Sequence, residues 1–309
     1  MVPVTQDDVL AAAERIRGRV HRTPTFTSAT LGAGVHLKAE LFQKTGSFKV
    51  RGVLNKLASL SAEEKARGVI GISAGNHAQA LAWGAAQAGV GCLVVMWRDA
   101  SPAKVAATRG YGAEVDLEAA GPAEAFDRLS VLQAATGRTL VHPFDDPVVI
   151  AGAGTVALEL VEDAPDVETI VVPAGGGGLV AGIAAAAPDR HVVAVEPELS
   201  TAVSSGLAAG RSVPVQPASI ADGLSAPFAG EIALAVLRAN GTESVLVSEA
   251  ELEEAFRFLY SRAKLACEPA AAVGVAALLA GKIPAGPVAV VVSGGNVDPE
   301  KASAILGRP

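Results

Sequence analysis

Cysteine is almost missing from this chain. Only two occur in 309 residues, Cys92 and Cys267; both sit inside apolar runs, and no metal-ligand spacing is present. That excludes a disulfide framework and leaves buried free thiols in a reduced compartment as the expectation. Aromatic residues amount to 4% and charged residues to 18%, while half of the chain is apolar. Such a composition excludes disorder and describes a globular protein with a large aliphatic core. Basic residues are the minority charge, 25 Lys and Arg against 32 Asp and Glu, for a net charge of −7. No basic face is therefore offered to nucleic acid or to anionic lipid, although a local basic pocket for a small anion is not excluded. Long apolar runs are lacking as well. The least charged stretch, 170–188, is glycine-rich and broken by Pro173, which suits strand, loop and helix rather than a membrane span. The N-terminus, Met1 to Asp8, has no basic region followed by an apolar run. No secretion signal is read there, and a cytoplasmic location is the expectation.

What the chain has in abundance is alternation. Val69–Ser73, Cys92–Met96, Glu168–Pro173, His191–Glu196 and Pro287–Ser293 are short, nearly continuous β-branched runs, the pattern of strands covered on both faces. Helical stretches lie between them: Asn76 to Gln87, Ala103 to Thr108, Pro122 to Gly137, Gly152 to Glu162, Glu249 to Lys264 and Pro269 to Ala280. The pattern predicts an α/β fold of two domains, each with a mainly parallel sheet flanked by helices. Residues 1–55 and 145–309 are expected to form the larger domain and 56–144 the smaller, with the active site in the cleft between them.

Four clusters can carry chemistry. The first is Lys44-Thr45-Gly46-Ser47-Phe48-Lys49-Val50-Arg51-Gly52, where a turn gives way to a helical pattern. A lysine held there with little water, and with the cation of Arg51 two residues on, has reason to lose its proton early. A neutral amine is a nucleophile and a base; read alone, Lys49 is one more solvated charge. The second is Ser73-Ala74-Gly75-Asn76-His77, after a strand and opening a helix. Free amides at a helix start suit a carboxylate or phosphate, against the plainer reading of a helix cap with His77 merely packed. The third is Gly175-Gly176-Gly177-Gly178-Leu179, whose amides can approach a phosphate closely. Gly176, Gly178, Ala181 and Glu196 also fit a dinucleotide fingerprint, which would make the protein a nicotinamide-dependent oxidoreductase. The fourth is Ser293-Gly294-Gly295-Asn296 at the end of the last strand, a hydroxyl within reach of a bound ring or simply a turn.

Taken in order, these motifs resemble the pyridoxal-phosphate enzymes of the tryptophan synthase β type, fold type II, in the serine/threonine dehydratase and serine racemase branch. The resemblance runs from about Asp8, through His21-Arg22-Thr23-Pro24, to Asn296-Val297-Asp298. It implies the cofactor pyridoxal 5'-phosphate, with Lys49 as the Schiff-base lysine that later moves the α-proton. Phe48 would lie on one face of the cofactor ring and Gly223 on the other. Asn76 would meet the phenolic oxygen, Ser293 the ring nitrogen, and Gly175 to Gly178 with Leu179 the phosphate. Ser73, Ala74, Gly75, Asn76 and His77 would bind the substrate carboxylate, and Lys49, Ser73 and Asn76 are the candidate catalytic residues. The implied reaction converts a small β-hydroxy amino acid, L-threonine or L-serine, through an aminoacrylate to a 2-oxo acid and ammonia. The implied partners are that substrate and a second copy in a homodimer, with no nucleic acid and no membrane.

Departures from the family pattern choose between branches. Racemases of this family carry a serine where this chain has Ala74, and an alanine transfers no proton, so elimination is expected over racemisation. The racemase branch also has a divalent-metal site near Glu196, but Ala202 stands where a partner carboxylate is expected. One carboxylate is a poor magnesium or calcium site, and no divalent metal is predicted. A serine rather than an acid at the ring nitrogen suits elimination too. Glu268 is read either as a group near the site or as a helix-terminal charge. The stretch His142-Pro143-Phe144-Asp145-Asp146 is expected to border the site. Lyases for hydroxyaspartate or other β-substituted amino acids share the same core.

Overall fold

The computed structural model describes residues 4–284 and 286–308. The runs read as strands form the centres of two sheets. In the larger, the order is β1 (Thr25–Thr27), β2 (Val35–Ala39), β10 (Val288–Val292), β7 (Thr169–Pro173), β8 (His191–Pro197) and β9 (Glu243–Val247). Only β1 runs antiparallel, pairing Phe26 with Leu37; the others are parallel, with Val288 beside Thr169 and Thr169 beside His191. The smaller sheet is wholly parallel, in the order β5 (Glu114–Ala119), β4 (Cys92–Trp97), β3 (Val69–Ile72) and β6 (Thr139–Leu140). β7 and β10 are buried at every residue, as continuous apolar strands require when helices cover both faces.

Helices connect and cover these strands. In the first part of the chain they are α1 (Gln6–Ile16), α2 (Lys49–Ser59), α3 (Ala62–Arg67), α4 (Asn76–Ala88), α5 (Pro102–Gly110) and α6 (Pro122–Thr136). The second part adds α7 (Pro147–Asp163), α8 (Gly178–Ala186), α9 (Ala202–Ala209) and α10 (Glu231–Asn240). The last three are α11 (Glu249–Phe258), α12 (Pro269–Leu279) and α13 (Pro299–Leu306). One core layer joins α7, α8 and α10 to a face of the larger sheet, and α11, α12 and α13 cover the other. A third core of α2, α4, β3 and β4 links the helix that begins at Lys49 to the smaller sheet.

Two predicted helices have different limits. α7 starts at Pro147, five residues before Gly152, because Asp146 accepts from the amides of Val148 and Val149 and caps it. The helix expected to run from Glu249 to Lys264 stops at Phe258. One wider turn, Leu259–Ala263, follows, and Lys264 ends it at φ 60°. Among the described residues, no helix is long and apolar enough to cross a membrane. Both cysteines are buried and unpaired, and burial pushes the Cys92 thiol up to about 12.

Three helices meet through glycine. α2 and α7 cross where Gly52 faces the Val149 carbonyl, a Cβ there falling 2.6 Å from that oxygen, and where Gly152 faces the Arg51 carbonyl. α7 and α8 cross where Gly154 and Gly182 lie against each other's backbone. No side chain fits between these helices, so backbone contact sets their spacing.

Candidate active site

A cavity of about 670 Å³ opens at the carboxyl ends of β3, β4, β7 and β10, the position expected for a ligand in parallel sheets. Every residue that the resemblance assigns to cofactor or substrate lines it: Phe48, Lys49, Ser73 to His77, Gly175 to Leu179, Gly223 and Ser293. A second hollow, about 710 Å³, is lined by Tyr260, Val297 and Leu306 among others and holds no charged residue. The chemistry therefore belongs to the first.

Lys49 is the first residue of α2, and its Nζ donates to the Pro143 carbonyl at 2.8 Å. Burial lowers its pKa to about 8, with the nearby charge of Glu268 acting in the opposite direction. The expected contribution of Arg51 is not there. Residues two apart on a helix point nearly opposite ways, and the Arg51 guanidinium lies buried on the far side. Its Nε and Nη2 donate to Glu40 at 2.8 Å each, and its Nη1 and Nη2 to Glu159 at 2.7 and 2.9 Å. Lys38, also fully buried, donates to Glu159 and to the Thr23 carbonyl. Arg51 is thus charge-balanced and anchors α2 from behind, while desolvation alone accounts for the mobile proton of Lys49.

The second cluster opens α4 without a cap. Gly75 is the N-cap residue, no side chain bonds to the first turn, and Ser73 Oγ instead accepts from the Gly75 amide at 3.0 Å. The capping reading of Ser73 and Asn76 therefore does not hold. Asn76 Nδ2 donates to Glu268 Oε1 at 2.7 Å, and its Oδ1 accepts from Asn296 Nδ2 at 2.8 Å. His77 is packed: it is 2% exposed and its Nε2 lies 2.9 Å from the Val141 carbonyl. Burial and the charge of Lys49 lower its pKa to about 3, so it is neutral. Ala74 brings no titratable group to the cavity.

Glu268 is more than a helix-terminal charge. It is the N-cap residue of α12, 4% exposed, and lines the cavity. Burial, with a smaller contribution from Asp222, raises its pKa to about 7. At the glycine loop, Gly177 has φ +90°, a left-handed conformation suited to glycine. A Cβ on Gly176 would fall inside the Phe144 ring. The amides of Gly175, Gly176 and Gly177 donate to no acceptor among the described residues, and no side chain caps α8. Gly223 is packed against Ala270, where a Cβ would come within 2.8 Å. Glu196 is outside the cavity, and its two oxygens accept from the Val203 and Ser204 amides at 2.7 Å each. It closes the start of α9, which removes the acid of the dinucleotide fingerprint.

Several cavity residues carried no sequence signal. Lys104 on α5 donates to Asp222 at 2.5 Å, Lys301 lies 3.5 Å from the same carboxylate, and Ser101 donates to Asp298. Through Asp222 and Asp298 these contacts join the segment after β4 to the loop before α10 and to the chain after β10. Phe126 and Phe144 line the cavity, and Phe228 packs against both rings from behind, edge-on to Phe144. Of the stretch expected to border the site, Pro143 and Phe144 line it.

Comparison with known proteins identifies relatives along the whole chain. The chain is 41% identical to the L-threonine ammonia-lyase of Thermotoga maritima over 99% of its length and 79% of that protein. Its fold superposes on the T.th. threonine deaminase with a TM-score of 0.88, at 41% identity, covering 95% and 99% of the two chains. Maize serine racemase superposes with a TM-score of 0.92 at 34% identity, covering 97% and 95%. The family described as pyridoxal-phosphate dependent enzyme matches residues 16–294, and this chain, whose half-buried Lys49 and glycine loop line one cavity, belongs to it.

Proposed function

We propose that this protein is a pyridoxal-phosphate-dependent ammonia-lyase that dehydrates a small β-hydroxy amino acid, L-threonine or L-serine, to a 2-oxo acid and ammonia. The carrying observation is Lys49, half-buried in the cavity with its pKa lowered to about 8 and its Nζ donating to the Pro143 carbonyl. The residues fit the cofactor. Three loop amides lack acceptors, glycines leave no Cβ in the loop, and Ser293 and Asn76 line the same cavity. When bound there, pyridoxal phosphate supplies the electron sink for a carbanion at the substrate's α-carbon.

The protein's part follows from its own groups. In its neutral form Lys49 gives one N–H to Pro143 and keeps its lone pair free to take the α-proton at Nζ. The uncapped start of α4 offers the amides of Ala74, Asn76 and His77 to the substrate carboxylate, since those of Ser73 and Gly75 already donate to the Val95 carbonyl and to Ser73 Oγ. His77 stays neutral and holds the turn by packing. Glu268 Oε1 is taken by Asn76, so a proton on Glu268 sits at Oε2, and near neutral pH this group can hold or release one. The apolar wall of Phe126 and Phe144 favours an apolar substituent such as the methyl of threonine.

A racemase reading is supported by the likeness to maize serine racemase, but Ala74 gives the cavity no proton carrier at that position. We read residues 1–55 and 145–309 as one domain and 56–144 as the other, supported by the separate six- and four-stranded sheets. A homodimer in the cytoplasm completes the proposal, to be tested by light scattering and cell fractionation. The function is tested with a panel of β-hydroxy amino acids assayed for both 2-oxo acid and D-amino acid. We expect 2-oxo acid from L-threonine and L-serine, a yellow Schiff-base band, and loss of both in Lys49→Ala. A colourless protein, or D-amino acid formed as fast as 2-oxo acid, would overturn it.

A further inference from the structure

Asn296 was not assigned a role by its motif, yet both protons of its side-chain amide have acceptors. Its Nδ2 lies 2.8 Å from the Thr45 carbonyl and 2.8 Å from Asn76 Oδ1. A carbonyl oxygen only accepts, so the nitrogen of Asn296 must face Thr45; the opposite orientation would set two acceptors against each other. With its first proton committed there, the second goes to Asn76, which must then show its oxygen to Asn296 and its NH2 to Glu268 Oε1 at 2.7 Å. The order of donors and acceptors is fixed from the Thr45 backbone to the cavity.

The frame around Asn296 holds it in place. Thr45 has φ +62°, unusual for a residue other than glycine, and so turns its carbonyl toward Asn296. The Gly295 amide donates to Gly46 O at 2.9 Å and the Phe48 amide to Ser293 O at 3.1 Å, tying the two loops together. A Cβ on Gly46 would come 2.5 Å from Asn296 Oδ1. One proton of Asn76 Nδ2 goes to Glu268; the other meets no acceptor among the described residues, and Asn76 lines the cavity.

We propose that Asn296 is a positioning residue that locks the amide of Asn76 as a hydrogen-bond donor toward the cavity, so that an anionic oxygen of the bound cofactor meets N–H and not a carbonyl. The inference rests on the pyridoxal-phosphate reading given above. Asn296→Asp reverses the lock. An aspartate cannot donate to Asn76 Oδ1, so the Asn76 amide turns to give it N–H and presents its oxygen to the cavity.

The test titrates the cofactor-freed protein with pyridoxal phosphate and records the visible band of the complex. Asn296→Asp should weaken binding about 10-fold or more and move the band. Asn76→Ala should weaken it comparably, and the double variant should bind no worse than Asn76→Ala alone, because Asn296 acts through Asn76. Asn296→Ala, which adds no charge, should show a smaller loss with the same non-additivity, and it serves if the aspartate variant does not fold. Unchanged affinity and band in the Asn296 variants, or a full second loss in the double variant, would overturn the proposal while leaving the enzyme reading intact. No band in the unmodified protein would instead sink the enzyme reading, and the role of Asn296 with it.

Discussion

Glu268→Gln separates the stability of this protein from its function. In the folded chain Glu268 titrates near 7 because it is buried, whereas an unfolded glutamate titrates near 4.3. Between these values the folded state holds a proton that the unfolded state has lost. Stability contributed by this group is therefore full below about pH 4 and falls as pH rises to 7. Above 7 the cost is complete and amounts to about 4 kcal/mol at 1.36 kcal/mol per unit. Glutamine keeps the shape and still accepts from Asn76 Nδ2, but it carries no charge. The exchange also removes the attraction that holds the Lys49 pKa up, which offsets part of the gain. Net, the cofactor-free variant should be more stable than the parent by about 1–3 kcal/mol at pH 8, with little difference at pH 4. The assay is denaturant unfolding of both proteins across pH 4 to 8. A difference that is constant over that range would refute the reasoning, since it would mean Glu268 titrates alike folded and unfolded. The same variant should lose catalytic rate at neutral pH, so a stabilised but slower enzyme is the paired expectation.

Arg51→Met leaves Glu40 without its buried cation and Glu159 with Lys38 alone, and should cost about 3–5 kcal/mol of stability in the same unfolding assay. A loss below about 1 kcal/mol would show that the cluster is solvated. Gly176→Ala puts a methyl into the Phe144 ring and should weaken pyridoxal phosphate binding by about 10-fold or more, read by absorbance titration; unchanged binding would place the phosphate elsewhere. Ala74→Ser restores a hydroxyl at the cavity wall and should let D-serine accumulate from L-serine above the parent's background. Chiral chromatography that finds none would mean that Ala74 is not what blocks racemisation.

The buried parts of this fold were the readable ones. β7 and β10 are fully buried and apolar along their length, so their sequences need no neighbours to be interpreted. β5, Glu114–Ala119, carries acids on its exposed positions, and β1 and β6 are only three and two residues long; none of these shows a run. The break after Phe258 has no glycine or proline to mark it, and only the packing of Phe256 against Tyr260 and of Leu265 into the core distinguishes it from a longer helix. At the site, Lys49 and the glycine loop were legible because each sits in a local motif. Asn296 reaches Asn76 across 220 positions, and Lys49 reaches Pro143 across 94. Such pairings are products of the topology, and no window of sequence contains them. The misreading of Arg51 has the same origin, since proximity along the chain was taken for proximity of charge when the helix turns the two side chains apart.

The glycine crossings of α2, α7 and α8 make α7 a fixed gauge between the reactive amine and the phosphate loop. Lys49 opens α2 and Gly178 opens α8, and each helix touches α7 backbone to backbone. The interval between the Lys49 backbone and the loop is therefore set by backbone contact, with no side chain between the helices to adjust it. A single methyl at Gly152 or Gly154, far from any substrate, would act as a shim that widens this interval. Its first symptom would be a misplaced cofactor in an otherwise folded enzyme.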